Sequence, residues 1–108
     1  MNKTINLPDP KALFFAERLR QSIASQIKEI ILFGSRARGD ASEGSDYDFA
    51  VILNKKDASS VDKVRRTEVE FLNRFDVLSS ALIYDDNDWI RRKNMPIGIN
   101  IRREGINL

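Results

Sequence analysis

Ile30-Ile31-Leu32-Phe33-Gly34-Ser35-Arg36-Ala37-Arg38-Gly39, followed by Ser45-Asp46-Tyr47-Asp48-Phe49-Ala50-Val51-Ile52-Leu53, decides how the rest of the chain is read. The first run is apolar and β-branched until Gly34-Ser35 breaks it. Ten residues separate Ser35 from Asp46. Asp46 and Asp48 stand at i and i+2 in a second run of β-formers, and strand alternation turns both side chains to one face. Two carboxylates then lie side by side near a Gly-Ser turn. Such an arrangement suits a divalent metal carrying a nucleoside triphosphate.

Outward from this stretch, the pattern predicts the other elements. Met1 to Pro8 reads as a loose leading segment. Asp9-Pro10 reads as an N-cap with proline at the first helical position. Ala12, Phe15, Ala16, Leu19, Ile23 and Ile27 recur at steps of three and four, which predicts a helix over 10–27. Residues 29–33 form a first strand. Ser35 is placed to cap a turn of helix over 36–38, stopped by Gly39. Residues 40–45 form a surface loop and 46–53 a second strand, with Tyr47, Phe49 and Val51 facing the core. A helix capped by Ser60 carries Val61, Val64, Val69, Leu72 and Phe75. A third strand lies within 75–84, with 78–84 its surest part. Short helices follow over 88–93 and 97–104, the last stopped at Gly105. The order is helix, strand, strand, helix, strand, helix: an α/β or α+β layer fold, a small mixed sheet with helices packed on it.

At 108 residues this is one domain, able to bury roughly two-thirds of its unfolded surface. There is no Cys, which excludes disulfides and thiolate chemistry. There is no His, which removes Ser-His triads and zinc hydrolases. Catalysis must rest on carboxylates, Lys or Arg, hydroxyls and a hard metal. The sequence shows no signal peptide or membrane span, and a reducing cytoplasm is the default expectation. A net charge of +2 does not argue for nucleic acid, and with one Trp it makes no convincing footprint. Arg91, Arg92, Lys93, Arg102 and Arg103 against Glu104 alone still make a local basic patch. Trp89 in that region reads as packing.

Each candidate has a plainer alternative. Asp46 and Asp48 are disfavoured in a strand and repel each other unless a cation or donors offset them. They suit magnesium, which takes one or two carboxylates plus substrate phosphates; the alternative is two solvated charges. Gly34-Ser35 either ends a strand or sets bare N–H groups and a hydroxyl against a phosphate. Arg36 and Arg38 either sit exposed or add charge-assisted contacts to phosphate oxygens.

Gly34-Ser35, the ten-residue gap and Asp46-x-Asp48 together resemble the signature of the nucleotidyltransferase superfamily that includes DNA polymerase beta and kanamycin nucleotidyltransferase. The fuller string, Phe33 to Gly39 and Ser45 to Asp48, is similar to its minimal branch, the MNT domains. The resemblance implies the nucleotidyltransferase fold, a short mixed sheet flanked by helices. It implies that Gly34 and Ser35 hold the triphosphate of ATP or another nucleotide, and that Asp46 and Asp48 ligate magnesium. It implies nucleotidyl transfer, in which an acceptor hydroxyl attacks the α-phosphorus and pyrophosphate leaves. Active members use a third carboxylate on a later strand. Asp76, in Phe75-Asp76-Val77, is the candidate, and a register that puts Ser79 or Ser80 there removes it.

Small domains of this branch pair with helical HEPN-domain proteins in toxin–antitoxin systems, in some cases adding AMP to the partner. The resemblance thus implies an enzyme that uses ATP on a partner's hydroxyl, with the acceptor supplied by another chain or by a dimer. The alternative is a nucleotide-binding subunit that masks a HEPN-type toxin by binding alone. A nucleic-acid binder ranks last.

Overall fold

The computed structural model describes residues 9–108, so the leading segment 1–8 lies outside the described residues. Helix α1 runs Pro10–Ile23. Asp9 caps it as expected, its carboxylate accepting the Lys11 N–H at 2.8 Å. The helix stops short of the expected Ile27. Ala24–Gln26 makes one 3-10 turn, and Ile27 opens strand β1, Ile27–Phe33. Sheet pairing wins here over continuation of the helical spacing: Ile27 pairs with Leu53, and the Gln26 carbonyl takes the Asn54 N–H at 2.8 Å.

A single short turn, α2 (Ser35–Arg38), follows β1. Strand β2 is Tyr47–Leu53, so Asp46 stands one residue before it rather than within it. Helix α3 spans Ala58–Phe75. Its cap is Asp57, whose carboxylate accepts the Ser60 N–H at 2.8 Å; Ser60 is not the cap but a buried residue of the first turn. The buried stripe also differs from the expected one. It is Ser60, Val64, Thr67 and Phe71, while Val69 and Leu72 are exposed. Thr67 is tolerated inside because its hydroxyl donates to the Lys63 carbonyl at 2.9 Å. A stripe read from apolar residues alone therefore turns to the wrong side.

Strand β3 is Ser79–Asp85, with Phe75 and Asp76 left behind at the end of α3. Helices α4 (Asp86–Arg92) and α5 (Pro96–Glu104) come next. A two-residue strand β4, Ile106–Asn107, was not legible in the sequence; it exists only because β1 offers it an edge. The sheet order is β3-β2-β1-β4. β2 and β3 run parallel, and the other two pairs are antiparallel. This is the mixed sheet the sequence predicts.

Helices α1 and α3 cover one face, where Tyr47, Phe49, Val51 and Leu53 of β2 point, as alternation requires. Phe15 and Phe49 stack at 4.0 Å between ring centroids, and Phe71 meets Tyr47 edge-on at 5.1 Å. On the other face Ile31, Ala50, Ile52 and Ile101 form a smaller cluster. Trp89 packs against that cluster, as expected, beside Tyr84 at 5.6 Å. Covered on both faces, β2 is the most buried strand, and only its leading end with Asp48 opens to solvent. No helix among the described residues is long and apolar enough to cross a membrane.

Candidate active site

Gly34 joins β1 to α2 at φ 75° and ψ −161°, a backbone conformation that side chains make costly. A Cβ placed there would lie 2.4 Å from Asp48 Oδ2. Both facts demand glycine, and the second measures the site. Phe33 pairs with Asp48 across the β1–β2 ladder, so the carboxylate rises directly beside the turn. The Gly34 carbonyl accepts the N–H groups of Ala37 and Arg38, each at 3.0 Å. Ser35 and Arg36 occupy the first helical positions, whose N–H groups have no intrahelical acceptor.

Asp48 is half-buried, and its carboxyl is held above the usual carboxylate range. Burial is the main cause, and the like charge of Asp46 adds to it. Glu104 pushes in the same direction and Arg38 opposes. Asp46 is exposed, one residue before β2, and near enough for its charge to act on Asp48. The Asp46 charge lies close enough to raise the proton affinity of Asp48, an arrangement that a divalent cation would relieve. In that sense the donor set fits magnesium. Among the described residues no group of three or more His, Cys, Asp or Glu side chains is assembled to hold a metal, so a cation here would need further ligands from outside the chain.

The two arginines are placed differently from each other. Arg36 turns away to the loop. Its Nε and Nη2 donate to the Ser45 carbonyl at 3.1 and 2.9 Å, and its guanidinium stacks 4.5 Å from the Tyr47 ring centre. It fixes the segment that presents Asp46, and a phosphate would have to displace it. Arg38 stays at the turn, exposed, bonded to Asp40 at 3.1 Å and to Glu104 at 3.2 Å.

Asp76 is not on β3. It ends α3 in the left-handed conformation, φ 55°, with its N–H donating to the Leu72 carbonyl at 2.8 Å. The β2–β3 register sets Ser80 beside Asp48 and Ser79 beside Tyr47. A hydroxyl thus stands where the expected third carboxylate would sit. The register was the missing information: Phe75-Asp76-Val77 looks like a strand until the helix is seen to run through Phe75. Sequence reasoning also passed over Glu104. Its Oε1 accepts the Gly34 N–H at 3.0 Å. The only signal was one acid among arginines, directly before a glycine.

Residues 15–95 match the family model described as a nucleotidyltransferase domain. A relative from Methanocaldococcus jannaschii, named "Putative protein adenylyltransferase MJ1305", is 32% identical over 77 residues, 68% of this chain and 52% of the relative. A second from the same organism, "Putative protein adenylyltransferase MJ0604", is 30% identical over 91 residues, 84% of this chain and 87% of the relative. The chain thus spans about half the length of the first and most of the second. Among solved structures, a toxin–antitoxin crystal structure with AMP-PNP superposes with a TM-score of 0.60 at 18% identity, over 86% of this chain and 68% of that one. That likeness is one of fold. With the glycine turn and the aspartate pair on adjacent strand ends, and three-quarters of its length within the family's match, the chain belongs to the nucleotidyltransferase domain family.

Proposed function

We propose that the chain transfers a nucleoside monophosphate, AMP from ATP, to a hydroxyl on a partner protein, as the antitoxin-like member of a HEPN/MNT pair. One observation carries the reading: the Asp48 carboxylate lies against the Gly34 turn, which supports a phosphate cradle beside the acidic pair. The names of the two Methanocaldococcus relatives support a protein acceptor, and the fold of the toxin–antitoxin structure with AMP-PNP supports a nucleotide and a partner.

In this reading the N–H groups of Ser35 and Arg36, with the Ser35 hydroxyl, take the triphosphate tail. Arg38 adds charge at the same end. Magnesium held by Asp46 and Asp48 would offset the charge on the phosphate oxygens. The acceptor oxygen forms a bond to the α-phosphorus while the bond from that phosphorus to pyrophosphate breaks. The hydroxyl proton passes to a carboxylate at the site. Pyrophosphate departs with the electron pair of the broken bond.

A second reading is favoured by the serine at position 80. Without a third carboxylate beside Asp48, the chain holds nucleotide weakly or idly and silences a HEPN-type toxin by covering it. Labelled ATP, magnesium and a candidate HEPN partner separate the two. Label transfer that disappears in Asp46→Ala and Asp48→Ala supports transfer. Partner binding that survives both substitutions, with no transfer by the parent chain, supports masking.

A further inference from the structure

Glu104 has no part in the transfer proposed above, yet it grips two parts of the site. Its Oε1 accepts the Gly34 N–H at 3.0 Å, and Arg38 Nη1 reaches Oε1 and Oε2 at 3.3 and 3.2 Å. The acid is the better-fixed partner of that pair, its side chain 21% exposed against 46% for Arg38. What fixes it lies behind it. At Gly105 a Cβ would fall 2.2 Å from the Ile101 carbonyl oxygen and 2.5 Å from Ile31 Cγ2, so α5 ends pressed onto β1. Ile106 then pairs with Leu32 and Asn107 with Ile31, and the Leu108 N–H donates to the Ile30 carbonyl at 2.9 Å. The end of the chain is zipped along β1 and delivers Glu104 to the strand's exit.

A carboxylate at that place has three conceivable roles: metal ligand, plug or brace. The ligand role fails, because among the described residues no third acid joins a metal-holding group and this one already accepts N–H donors. The plug role is poorly served too. Glu104 is taken up by the Gly34 N–H and by Arg38, and none of its bonds goes to the N–H of Ser35 or Arg36. Among the described residues no acceptor takes the N–H groups of Ser35 and Arg36. A brace is what remains, and the turn needs one. Glycine at φ 75° is free to leave that conformation, and Arg38 without Glu104 has only exposed Asp40 to hold it.

We propose that Glu104 is a positioning residue of the phosphate turn, holding the Gly34 N–H and the Arg38 guanidinium in the arrangement that receives nucleotide phosphates. This rests on the nucleotidyl-transfer reading above. The charge-assisted bonds it makes are of the stronger kind, and they act through the turn rather than on substrate.

The test is calorimetric titration of magnesium-ATP into the full chain, with the Gly34 amide followed by NMR and melting temperature recorded alongside. Glu104→Ala weakens magnesium-ATP binding about tenfold, the scale of losing a hydrogen bond to a charged group, and shifts the Gly34 amide. Glu104→Gln, which keeps the acceptor oxygen, recovers most of the affinity. If Glu104→Ala does not fold, Glu104→Asp, which draws the oxygens back by one methylene, takes its place with the same expectation. An alanine variant that binds magnesium-ATP as well as the parent, or better, overturns the proposal. So does a lowered melting temperature with unchanged affinity. A parent chain that binds no magnesium-ATP overturns the underlying reading as well, and is told apart because the failure then appears before any substitution is made.

Discussion

Replacing Gly34 with alanine puts a methyl group where the Asp48 carboxylate lies. The new Cβ would sit 2.4 Å from Asp48 Oδ2, 3.3 Å from its carboxyl carbon and 3.4 Å from its Cβ. Ordinary contact needs roughly 1 Å more than the first of these, so the carboxylate must move by about that much. The backbone adds its own cost, because φ 75° with ψ −161° is a region nearly closed to side chains, at about 1–3 kcal/mol. A displacement of about 1 Å at a reacting group costs on the order of a hundredfold in rate. Gly34→Ala therefore lowers unfolding free energy by about 1–3 kcal/mol and transfer of label from ATP by about a hundredfold. Gly39→Ala is the control. It too has positive φ, 87°, but nothing lies within 4 Å of its Cβ position. It should cost about 1–2 kcal/mol of stability with little loss of transfer per folded molecule. Urea unfolding and label transfer on both variants check this. Equal transfer losses in the two, or a Gly34→Ala chain as stable and active as the parent, would refute the claim that carboxylate and turn share one site.

Other outcomes follow from single contacts. Asp48→Asn tests the sign of the electrostatics. The folded carboxyl is raised above its unfolded value of 3.8, so the ionised form costs stability, a cost absent below that pH and complete above the folded value. The variant should melt above the parent at pH 7, with the gap closing as pH falls below about 4; a gap that widens in acid reverses the assignment. Phe71→Ala removes the ring that meets Phe15, Tyr47 and Phe49, and urea unfolding should show a loss of about 3–5 kcal/mol. The Ser79 hydroxyl is buried with no hydrogen-bond partner among the described residues, so Ser79→Ala should leave stability unchanged or raise it by up to about 1 kcal/mol in the same measurement.

The sequence made much of this plain because local rules and tertiary demands coincide in its central stretch. Gly34, Gly39 and the alternation of Tyr47, Asp48, Phe49 and Ala50 each have one physical solution, and the mixed sheet forms around them. Legibility ended where a partner strand or a polar contact decides. Ile27 fits the helical stripe of α1 but pairs with Leu53. Thr67 looks like a surface residue until its hydroxyl finds the Lys63 carbonyl. Asp76 looks like a strand residue until the parallel register sets Ser80 at the place beside Asp48. Arg36 looks like a phosphate ligand, but its guanidinium closes the loop before Asp46. Glu104 was hidden most deeply, since it is separated from Gly34 by 70 residues and only the pairing of β4 with β1 brings it there.

The claim under all of this is that the turn at Gly34 and Ser35 and the acids at Asp46 and Asp48 make one nucleotide site. Calorimetric titration of ATP into the parent chain and into an Asp46→Asn, Asp48→Asn double variant, with magnesium and then with EDTA, tests it most directly. The account predicts magnesium-dependent binding by the parent and a loss of at least about tenfold in the double variant. Binding of equal strength in both, or binding indifferent to magnesium, would contradict it.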